Sequence, residues 1–325
     1  MARVGIIGGG AFGTAMACVI RRSGHDTVIW AREPEVAASI NEQGVNGIFL
    51  PGISVVKGVV ATSRLEVAVK DRDFILTAVP AQHLRAIAGR MRASLADGTP
   101  VVSCSKGIER GSCALMPEVL AQALPRARVA VLSGPSFARE IAQDLPCGVV
   151  LACADFELAK RLAGEIGNLR FCVHPSDDVY GAAIGGVMKN VIAIASGIAA
   201  GRKLGENARA TLLALGLEEA TRLGLAKDAA AATFTGLAGV GDMALTCGSL
   251  QSRNTSLGFA LGEGRKAADV LAARKEITEG AFSAEAVAAL ADSLGVPMPI
   301  SGAVDRILNR GADLEAEIAR LIGPR

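Results

Sequence analysis

The chain has 325 residues, which is enough for two domains with separate cores. Its 34 basic and 32 acidic residues give a formal charge of +2, and the absence of a long basic block argues against nucleic-acid binding. Seven scattered cysteines without a C-x-x-C pair argue against a disulfide framework or a zinc site. The start, Met1–Ile7, indicates a strand and not a signal peptide. We therefore expect a cytoplasmic protein with no bound metal.

The first strand, Arg3–Ile7, leads into a glycine-rich turn and then into a helix over Thr14–Arg22. Gly8, Gly10 and Gly13 match the G-x-G-x-x-G pattern, which here lies between a strand and a helix, as dinucleotide-binding folds require. Gly8 permits the tight turn, Gly10 lets the backbone approach a pyrophosphate, and Gly13 lets helix and strand pack closely. The alternative is an ordinary glycine-rich turn.

The second strand, Thr27–Trp30, ends where NAD-binding folds usually place an acidic residue for the ribose 2′-hydroxyl. Arg32 could meet a 2′-phosphate, which slightly favours NADP, while Glu33 keeps NAD open. Arg32 could also be a solvated loop charge, because exposed arginines are common.

Strand-like runs then alternate with helical stretches, which predicts a Rossmann-like, doubly wound, mostly parallel α/β sheet. Predicted strands are Phe74–Val79, Pro100–Cys104, Arg128–Leu132, Leu145–Ala154 and Leu169–Val173, with helices near Gln82–Leu95 and Ala114–Leu124. Ligands of such sheets bind at the carboxyl ends of the strands. Lys106 follows one strand end and could contact a substrate oxygen or phosphate, unless it is a plain surface lysine. Ser133–Ala138 follows another and could be a bare turn.

Pro175–Asp178 is polar and turn-like, and we place the domain boundary beside it, with a dinucleotide-binding domain over residues 1–179 and a helical domain over residues 180–325. Helical runs are predicted at residues 181–200, 206–223, 228–234, 255–261, 266–273, 283–294, 300–309 and 314–321. Because no sequence period indicates a solenoid, we expect a helical bundle.

The run over residues 181–200 is nearly all apolar and carries Lys189 near its middle. Its length makes it a candidate membrane span, but a central lysine costs about 2.5–3.5 kcal/mol on insertion scales, so we predict a buried helix and no span. Burial lowers a lysine pKa, which suits proton transfer. Gly185 and Gly186 would leave a bare patch beside Lys189 for a flat ligand. The alternatives are a lysine that reaches solvent or one paired only for structure.

Two polar loops follow this helix. Gly236–Asp242 places three glycines before an acidic residue, which would bring the Asp242 carboxylate into a tight site; the alternative is that Asp242 caps the next helix. Gln251–Ser256 offers hydroxyl, guanidinium and amide donors at a helix N-terminus, which would suit an anion, or it forms an ordinary polar cap.

Six stretches together resemble the bacterial type of NAD(P)-dependent glycerol-3-phosphate dehydrogenase. They are Gly8–Gly13, Ser105–Gly107, Ser133–Ala138, Gly185–Ala193, Leu237–Asp242 and Gln251–Asn254, in the family's order over most of the chain. The resemblance implies a Rossmann-like domain and an all-α domain similar to the C-terminal domain of 6-phosphogluconate dehydrogenase. It also implies interconversion of dihydroxyacetone phosphate and sn-glycerol 3-phosphate, which supplies glycerophospholipid synthesis. We expect a homodimer that takes a small phosphorylated substrate.

The resemblance also assigns residues. Lys189 matches the catalytic proton donor or acceptor, and Lys106 and Asp242 act beside it. The substrate set is Lys106, Gly134, Ser136, Asp242, Ser252, Arg253 and Asn254. The set for NADP or NAD is Gly8, Gly10, Ala11, Phe12, Gly13, Arg32, Lys106, Ala138, Arg253, Ile277 and Glu279, and Gly134 also matches a cofactor position. Phe12 replaces the usual Trp or Tyr, Leu213–Gly216 lacks an Arg, and the residues after Gly280 differ from the family pattern.

Three alternatives stay open. A β-hydroxyacid or 6-phosphogluconate-type dehydrogenase shares the layout, although the loops at residues 236–242 and 251–254 favour glycerol phosphate. A redox-sensing protein that binds NAD(P)H without turnover would not need Lys189, Lys106 and Asp242, which are all present. A membrane protein built on residues 181–200 would partition into detergent.

Overall fold

The computed structural model describes residues 1–273 and 278–322, and the chain divides into two compact units. The first unit contains Met1–Ser105 and Met116–Ala182, and the second contains Lys106–Leu115 and the chain from Ala183 onward. The segment Lys106–Leu115 belongs to the second unit because Ile108 and Leu115 are buried in its hydrophobic core. The predicted domain boundary after residue 179 stays a prediction.

The first unit is built on one sheet of eight strands: β1 (Arg3–Ile7), β2 (Asp26–Trp30), β3 (Val59–Thr62), β4 (Phe74–Thr77), β5 (Pro100–Ser103), β6 (Arg128–Ser133), β7 (Cys147–Ala152) and β8 (Phe171–Ser176). The order is β3-β2-β1-β4-β5-β6-β7-β8, and only β6 and β7 pair antiparallel. Ile6 aligns with Ile29 on β2 and with Leu76 on β4, and all three side chains are buried in one core. The predicted mostly parallel α/β sheet is confirmed.

Seven helices accompany this sheet among the described residues: α1 (Ala11–Arg22), α2 (Pro34–Gln43), α3 (Leu65–Val69), α4 (Leu84–Met91), α5 (Met116–Ala123), α6 (Ala138–Ala142) and α7 (Phe156–Ile166). A 3-10 turn at Ala81–His83 precedes α4. The interior of α1 is almost entirely buried, and its last turn carries Arg21 and Arg22, whose charges favour the carboxyl end of a helix.

Two strands differ from the sequence prediction. β3 is not predicted: only part of its short run is buried, whereas β4 and β5, which are equally short, are buried throughout. β8 continues through Pro175 and Ser176, where the sequence predicts a turn. It lies at the edge of the sheet and pairs with β7 on one side only, so a proline that lacks an N–H is tolerated there.

From Ala183 onward, the described part of the second unit is helical, as predicted. Its helices are α8 (Val179–Gly201), α9 (Glu206–Leu225), α10 (Ala231–Phe234), α11 (Asp242–Cys247), α12 (Arg253–Gly262), α13 (Ala267–Ala272), α14 (Glu279–Leu294), α15 (Pro299–Asn309) and α16 (Leu314–Ile322). A π-helical turn at Leu237–Gly241 leads directly into α11. The first four residues of α8, Val179–Ala182, group with the first unit.

Helix α8 is long and apolar enough to cross a membrane, but 94% of its apolar 18-residue window is buried inside the protein. It is therefore the predicted core helix and gives no clear span. Gly197 on α8 and Gly258 on α12 let the two helices meet backbone to backbone. A Cβ atom at Gly197 would lie 2.1 Å from the Thr255 oxygen, and one at Gly258 would lie 2.0 Å from the Ile194 oxygen.

Candidate active site

The glycine-rich turn of the first unit has the geometry of a phosphate-binding turn. Gly8 has a φ of +127°, which favours glycine, and a Cβ atom at Gly13 would lie 1.8 Å from the Gly8 oxygen. An added Cβ at Gly10 would meet no atom within 4 Å, so the backbone at the start of α1 is open to a ligand. Ala11 and Phe12 form the first turn of α1, whose free N–H groups and dipole favour an anion.

Asn46, which lies in no recognised motif, holds this turn in place. Its Nδ2 atom donates to the Gly9 oxygen at 2.8 Å and to Oγ1 of Thr14 at 2.7 Å. The Asn46 side chain is buried, so it links the turn to the first helix without solvent competition. Because Asn46 lies 37 residues from Gly9 in the chain, no local sequence pattern predicts this contact.

Arg32 follows β2 and stays in solvent, with 74% of its side chain exposed. Its Nε and Nη2 atoms donate to Oε1 of Glu33 at 2.9 and 2.6 Å. Glu33 occupies the N-cap position of α2 but makes no side-chain cap. Arg32 is thus paired with Glu33, and contact of either residue with the ribose 2′ position of a cofactor stays a prediction.

The turn after β6 holds three further predicted residues. Gly134 has a φ of +134°, and an added Cβ there would lie 3.0 Å from Cα of Val149. Oγ of Ser136 donates to the Gly134 oxygen at 2.8 Å, and Ala138 begins α6. The turn is therefore held in a conformation that requires glycine, and its contacts with substrate or cofactor stay predictions.

Two lysines meet one buried carboxylate in the second unit. Nζ of Lys189 lies 2.6 Å from Oδ1 of Asp242, and Nζ of Lys106 lies 2.6 Å from Oδ2. Asp242 is fully buried, while 12% of the Lys189 side chain and 15% of the Lys106 side chain are exposed. Lys189 does not extend into bulk solvent, and Lys106 is not a plain surface lysine. Asp242 is the first residue of α11, but its side chain caps no helix, so the capping alternative is wrong.

This grouping shifts the proton affinities of its members. Burial lowers the pKa of Lys189 to about 8; the negative charge of Asp242 opposes this shift and the positive charge of Lys106 adds to it. Burial alone would raise the pKa of Asp242, but the two ammonium groups and their hydrogen bonds hold that pKa below its usual range. Burial raises the pKa of the neighbouring Cys247 thiol to about 12, so this cysteine stays neutral. Lysine with a pKa of about 8 can give or take a proton near neutral pH.

Gly185 explains how Asp242 reaches Lys189. A Cβ atom at Gly185 would lie 2.1 Å from the Ala238 oxygen and 2.9 Å from its carbonyl carbon. The π-helical turn Leu237–Gly241 therefore packs directly on α8, and α11 begins beside Lys189. At Gly185 the expected bare patch is thus filled by backbone and not open to a flat ligand.

Asn190 and Thr246 are two further members of the site that were not predicted from the sequence. Nδ2 of Asn190 donates to the Lys106 oxygen at 3.1 Å. Oγ1 of Thr246 donates to the main-chain carbonyl oxygen of Asp242 at 2.7 Å, and Oγ1 of Thr255 donates to the main-chain carbonyl oxygen of Thr246 at 2.6 Å. Asn190 lies within the family-matching stretch Gly185–Ala193, but that stretch was used only to assign Lys189.

The loop Gln251–Ser256 forms the N-terminus of α12. Oγ of Ser252 accepts from the Thr255 N–H at 3.2 Å, so Ser252 is the N-cap expected of the polar-cap alternative. Arg253 is exposed on the first turn of this helix, and Asn254 is buried. A cap and an anion site are compatible, because a capped helix start still carries a positive dipole end.

One predicted cofactor residue, Glu279, lies at the start of α14. Glu279 is its first residue and is half-buried, and Gly280 follows it in a buried position. Ile277 lies outside the described residues.

Two family models match successive parts of the chain. The model described as NAD-dependent glycerol-3-phosphate dehydrogenase N-terminus matches residues 3–159, and the one described as the C-terminus matches residues 178–319. A protein of Parvibaculum lavamentivorans named glycerol-3-phosphate dehydrogenase (NAD(P)+) is 46% identical over 98% of this chain and 96% of its own length. A protein of Rhodospirillum rubrum with the same name is 48% identical over 98% of this chain and 91% of its own length.

Among solved structures, a glycerol-3-phosphate dehydrogenase from Coxiella burnetii superposes on this chain with a TM-score of 0.94 at 36% identity. The match covers 99% of both chains.

Proposed function

Because the chain belongs to the family of NAD-dependent glycerol-3-phosphate dehydrogenases, we propose that it interconverts dihydroxyacetone phosphate and sn-glycerol 3-phosphate with NAD(P)H. The family resemblance predicted from the six sequence stretches is confirmed. The observation that carries the proposal is the carboxylate of Asp242 between Lys189 and Lys106, each at 2.6 Å. This arrangement provides one lysine to exchange a proton and a second positive charge beside it.

Lys189 is the proposed general acid and base. When dihydroxyacetone phosphate is reduced, negative charge grows on the C2 oxygen, and the Lys189 ammonium group protonates it. In the reverse direction the neutral amine takes the proton from the C2 hydroxyl. A pKa of about 8 leaves both forms of Lys189 populated near neutral pH, which suits a reversible reaction.

Lys106 and Asp242 have supporting roles in this proposal. Lys106 places a second positive donor near the developing oxyanion, which stabilises the transition state more than the ground state. Asp242 holds both ammonium groups at fixed positions and balances one of the two charges in a buried site. Without a carboxylate, two lysines would not both stay protonated there.

The residues of the first unit fit a dinucleotide. The open backbone at Gly10, the N-terminus of α1 at Ala11 and Phe12, and the exposed Arg32 would hold its phosphates. The proposed cofactor contacts further along the chain are Ala138, Arg253, Glu279 and Ile277. When bound, NAD(P)H supplies the hydride. Arg32 slightly favours NADPH, because a guanidinium group pairs well with a 2′-phosphate.

The proposed substrate residues are Lys106, Gly134, Ser136, Asp242, Ser252, Arg253 and Asn254. Of these, Arg253 has the strongest reason to bind phosphate, because it lies exposed on the first turn of a ten-residue helix. Phosphate binding at a distance from C2 positions the carbonyl for reaction. A ketone that lacks the phosphate is therefore expected to lose turnover as well as affinity.

Loss of absorbance by reduced nicotinamide tests the function. Purified protein is mixed with NADPH or NADH, and dihydroxyacetone phosphate is added. We expect consumption that requires the phosphorylated ketone, with dihydroxyacetone and a β-hydroxyacid panel as controls. Consumption of neither cofactor, or a preference for 6-phosphogluconate in the oxidative direction, would overturn the assignment.

We further propose that the product supplies glycerophospholipid synthesis in the cytoplasm. All seven cysteines are free, as is usual in a reducing compartment. The gene is expected to restore growth of a glycerol 3-phosphate auxotroph, and cell fractionation is expected to place the protein with cytoplasmic markers. Failure to complement with an active enzyme, or recovery with membranes, would contradict this.

We also propose a homodimer. Sedimentation velocity measures the state directly, and a single monomeric species at micromolar concentration would contradict the proposal.

A further inference from the structure

A chain of hydrogen bonds joins the start of α14 to the backbone of Lys106. The Gly280 N–H donates to Oδ1 of Asn254 at 3.0 Å, and Nδ2 of Asn254 donates to Oδ1 of Asn190 at 2.8 Å. Nδ2 of Asn190 then donates to the Lys106 oxygen at 3.1 Å. Asn254 and Asn190 are 7% and 6% exposed, so water competes little for these bonds.

Packing supports the same connection independently. A Cβ atom at Gly280 would lie 2.5 Å from the main-chain carbonyl oxygen of Asn190 and 2.6 Å from Oδ1 of Asn254. The first turn of α14 therefore presses on both asparagines without an intervening side chain. Even a methyl group at Gly280 would have to displace one of them.

Asn254 thus has protein partners for both ends of its amide, although the family resemblance implies only a substrate contact. Its neighbour Thr255 donates to the Thr246 oxygen, and Thr246 donates to the Asp242 oxygen. The first turn of α12 therefore supports Lys106 on one side and Asp242 on the other.

We propose that Asn190 and Asn254 are positioning residues that fix the main chain of Lys106, so that the start of α14 determines where the Lys106 ammonium group lies on Asp242. The inference rests on the proposed function only where kcat is measured, because the titration of Lys189 requires no catalytic activity. Glu279, a proposed cofactor residue, immediately precedes Gly280, so the segment proposed to meet the cofactor is tied to the second lysine of the site.

The test compares Gly280→Ala, Asn254→Ala and Asn190→Ser, with Lys106→Met as the reference for a missing ammonium group. Lysine carbons are labelled with ¹³C, and Lys189 is titrated by NMR in the protein without substrate or cofactor, with Lys189→Met for assignment. The charged or titratable groups that act on Lys189 are Asp242, Lys106 and Cys247, and Arg209 acts on Cys247.

All three variants are expected to move the Lys189 pKa from about 8 toward its ordinary value of 10.5, as Lys106→Met does, because a displaced Lys106 no longer lowers it. In active protein, kcat is expected to fall about 10- to 100-fold, since small misplacements of a reacting group have effects of that size. Asn190→Ser leaves a small hydroxyl and serves if the alanine variants fail to fold.

Gly164→Ala and Asn168→Ala are the matched controls in the first unit. An added Cβ at Gly164 meets no atom within 4 Å, and the Asn168 side chain makes three hydrogen bonds within that unit. Both are expected to leave the Lys189 titration and kcat unchanged. If Gly280→Ala and Asn254→Ala titrate as wild type does and only raise KM for dihydroxyacetone phosphate, Asn254 acts through substrate contact alone and the positioning role is wrong. An inactive wild type would instead overturn the proposed function, while the titration would still decide this inference.

Discussion

Nζ of Lys189 lies 2.6 Å from Oδ1 of Asp242, and the carboxylate is fully buried. The other carboxylate oxygen accepts from Lys106, so two ammonium groups share one negative charge. Because the site holds two positive groups and one negative group, the second positive charge lowers the pKa of Lys189, and the two ammonium groups together lower the pKa of Asp242. The negative charge of Asp242 raises the pKa of Lys189, while burial and the positive charge of Lys106 lower it.

Asp242→Asn keeps the shape of the side chain and removes its charge. The folded protein is expected to lose about 3–5 kcal/mol of unfolding free energy, because two buried lysines then lack a counter-charge. Turnover is expected to fall at least about 100-fold as the lysines lose their positions. Urea unfolding and steady-state kinetics measure the two effects. Asp97→Asn, which breaks an exposed pair with Arg126, is the control and should stay within about 1 kcal/mol. A fully active, stable Asp242→Asn variant would contradict the role of this carboxylate.

The pH dependence of kcat/KM is expected to report Lys189. Reduction of dihydroxyacetone phosphate needs the protonated lysine, so its rate should fall as pH rises through about 8. Oxidation of glycerol 3-phosphate needs the neutral amine, so its rate should rise through the same pH. Lys106→Met removes a neighbouring positive charge and should move both limbs to higher pH. Profiles measured in both directions at constant ionic strength check this, and limbs of the same sign in both directions would be incompatible with one lysine acting as acid and base.

The sequence predicts the parts of this protein that depend on local pattern. The glycine turn lies between its strand and helix, and Lys189 and Asp242 stand out because each is an ionisable residue within an apolar or glycine-rich stretch. Asn46 and Asn190 carry no such signal, since their partners lie 37 and 84 residues away.

The sequence likewise does not predict that residues 106–115 belong to the second unit. The segment lies between two elements of the sheet domain, β5 and α5. Burial of Ile108 and Leu115 in the second core decides its place, and a buried contact of this kind depends on residues that are far away in the chain. Pro175 is tolerated within β8 because β8 lies at the edge of the sheet. That position depends on the order of all the strands and not on local sequence.

Arg32→Ala is expected to raise KM for NADPH about 10-fold, the effect of losing about 1.4 kcal/mol of charge-assisted binding, and to leave KM for NADH nearly unchanged. The freed Glu33 carboxylate would then repel a 2′-phosphate, which moves preference further toward NADH. The matched control is Arg64→Ala, because Arg64 is also exposed and bonded to a nearby carboxylate, that of Glu66, at 2.7 Å. Kinetics with both cofactors measure the change. Equal effects on NADPH and NADH would mean that Arg32 does not read the 2′-phosphate.

Two alanine substitutions separate folding from cofactor binding in the glycine turn. Gly13→Ala would place a Cβ 1.8 Å from the Gly8 oxygen, so the strand–helix contact must shift, and we expect a loss of about 3 kcal/mol in unfolding free energy.

Gly10→Ala meets no protein atom within 4 Å and has an ordinary φ of −73°, so stability should change by less than about 1 kcal/mol. Its methyl group would nevertheless project into the space where a pyrophosphate approaches. Gly10→Ala is therefore expected to fold normally and bind NADPH at least about 10-fold more weakly. Denaturant unfolding without cofactor and fluorescence titration with NADPH measure the two quantities, and wild-type affinity in Gly10→Ala would exclude this turn as the phosphate site.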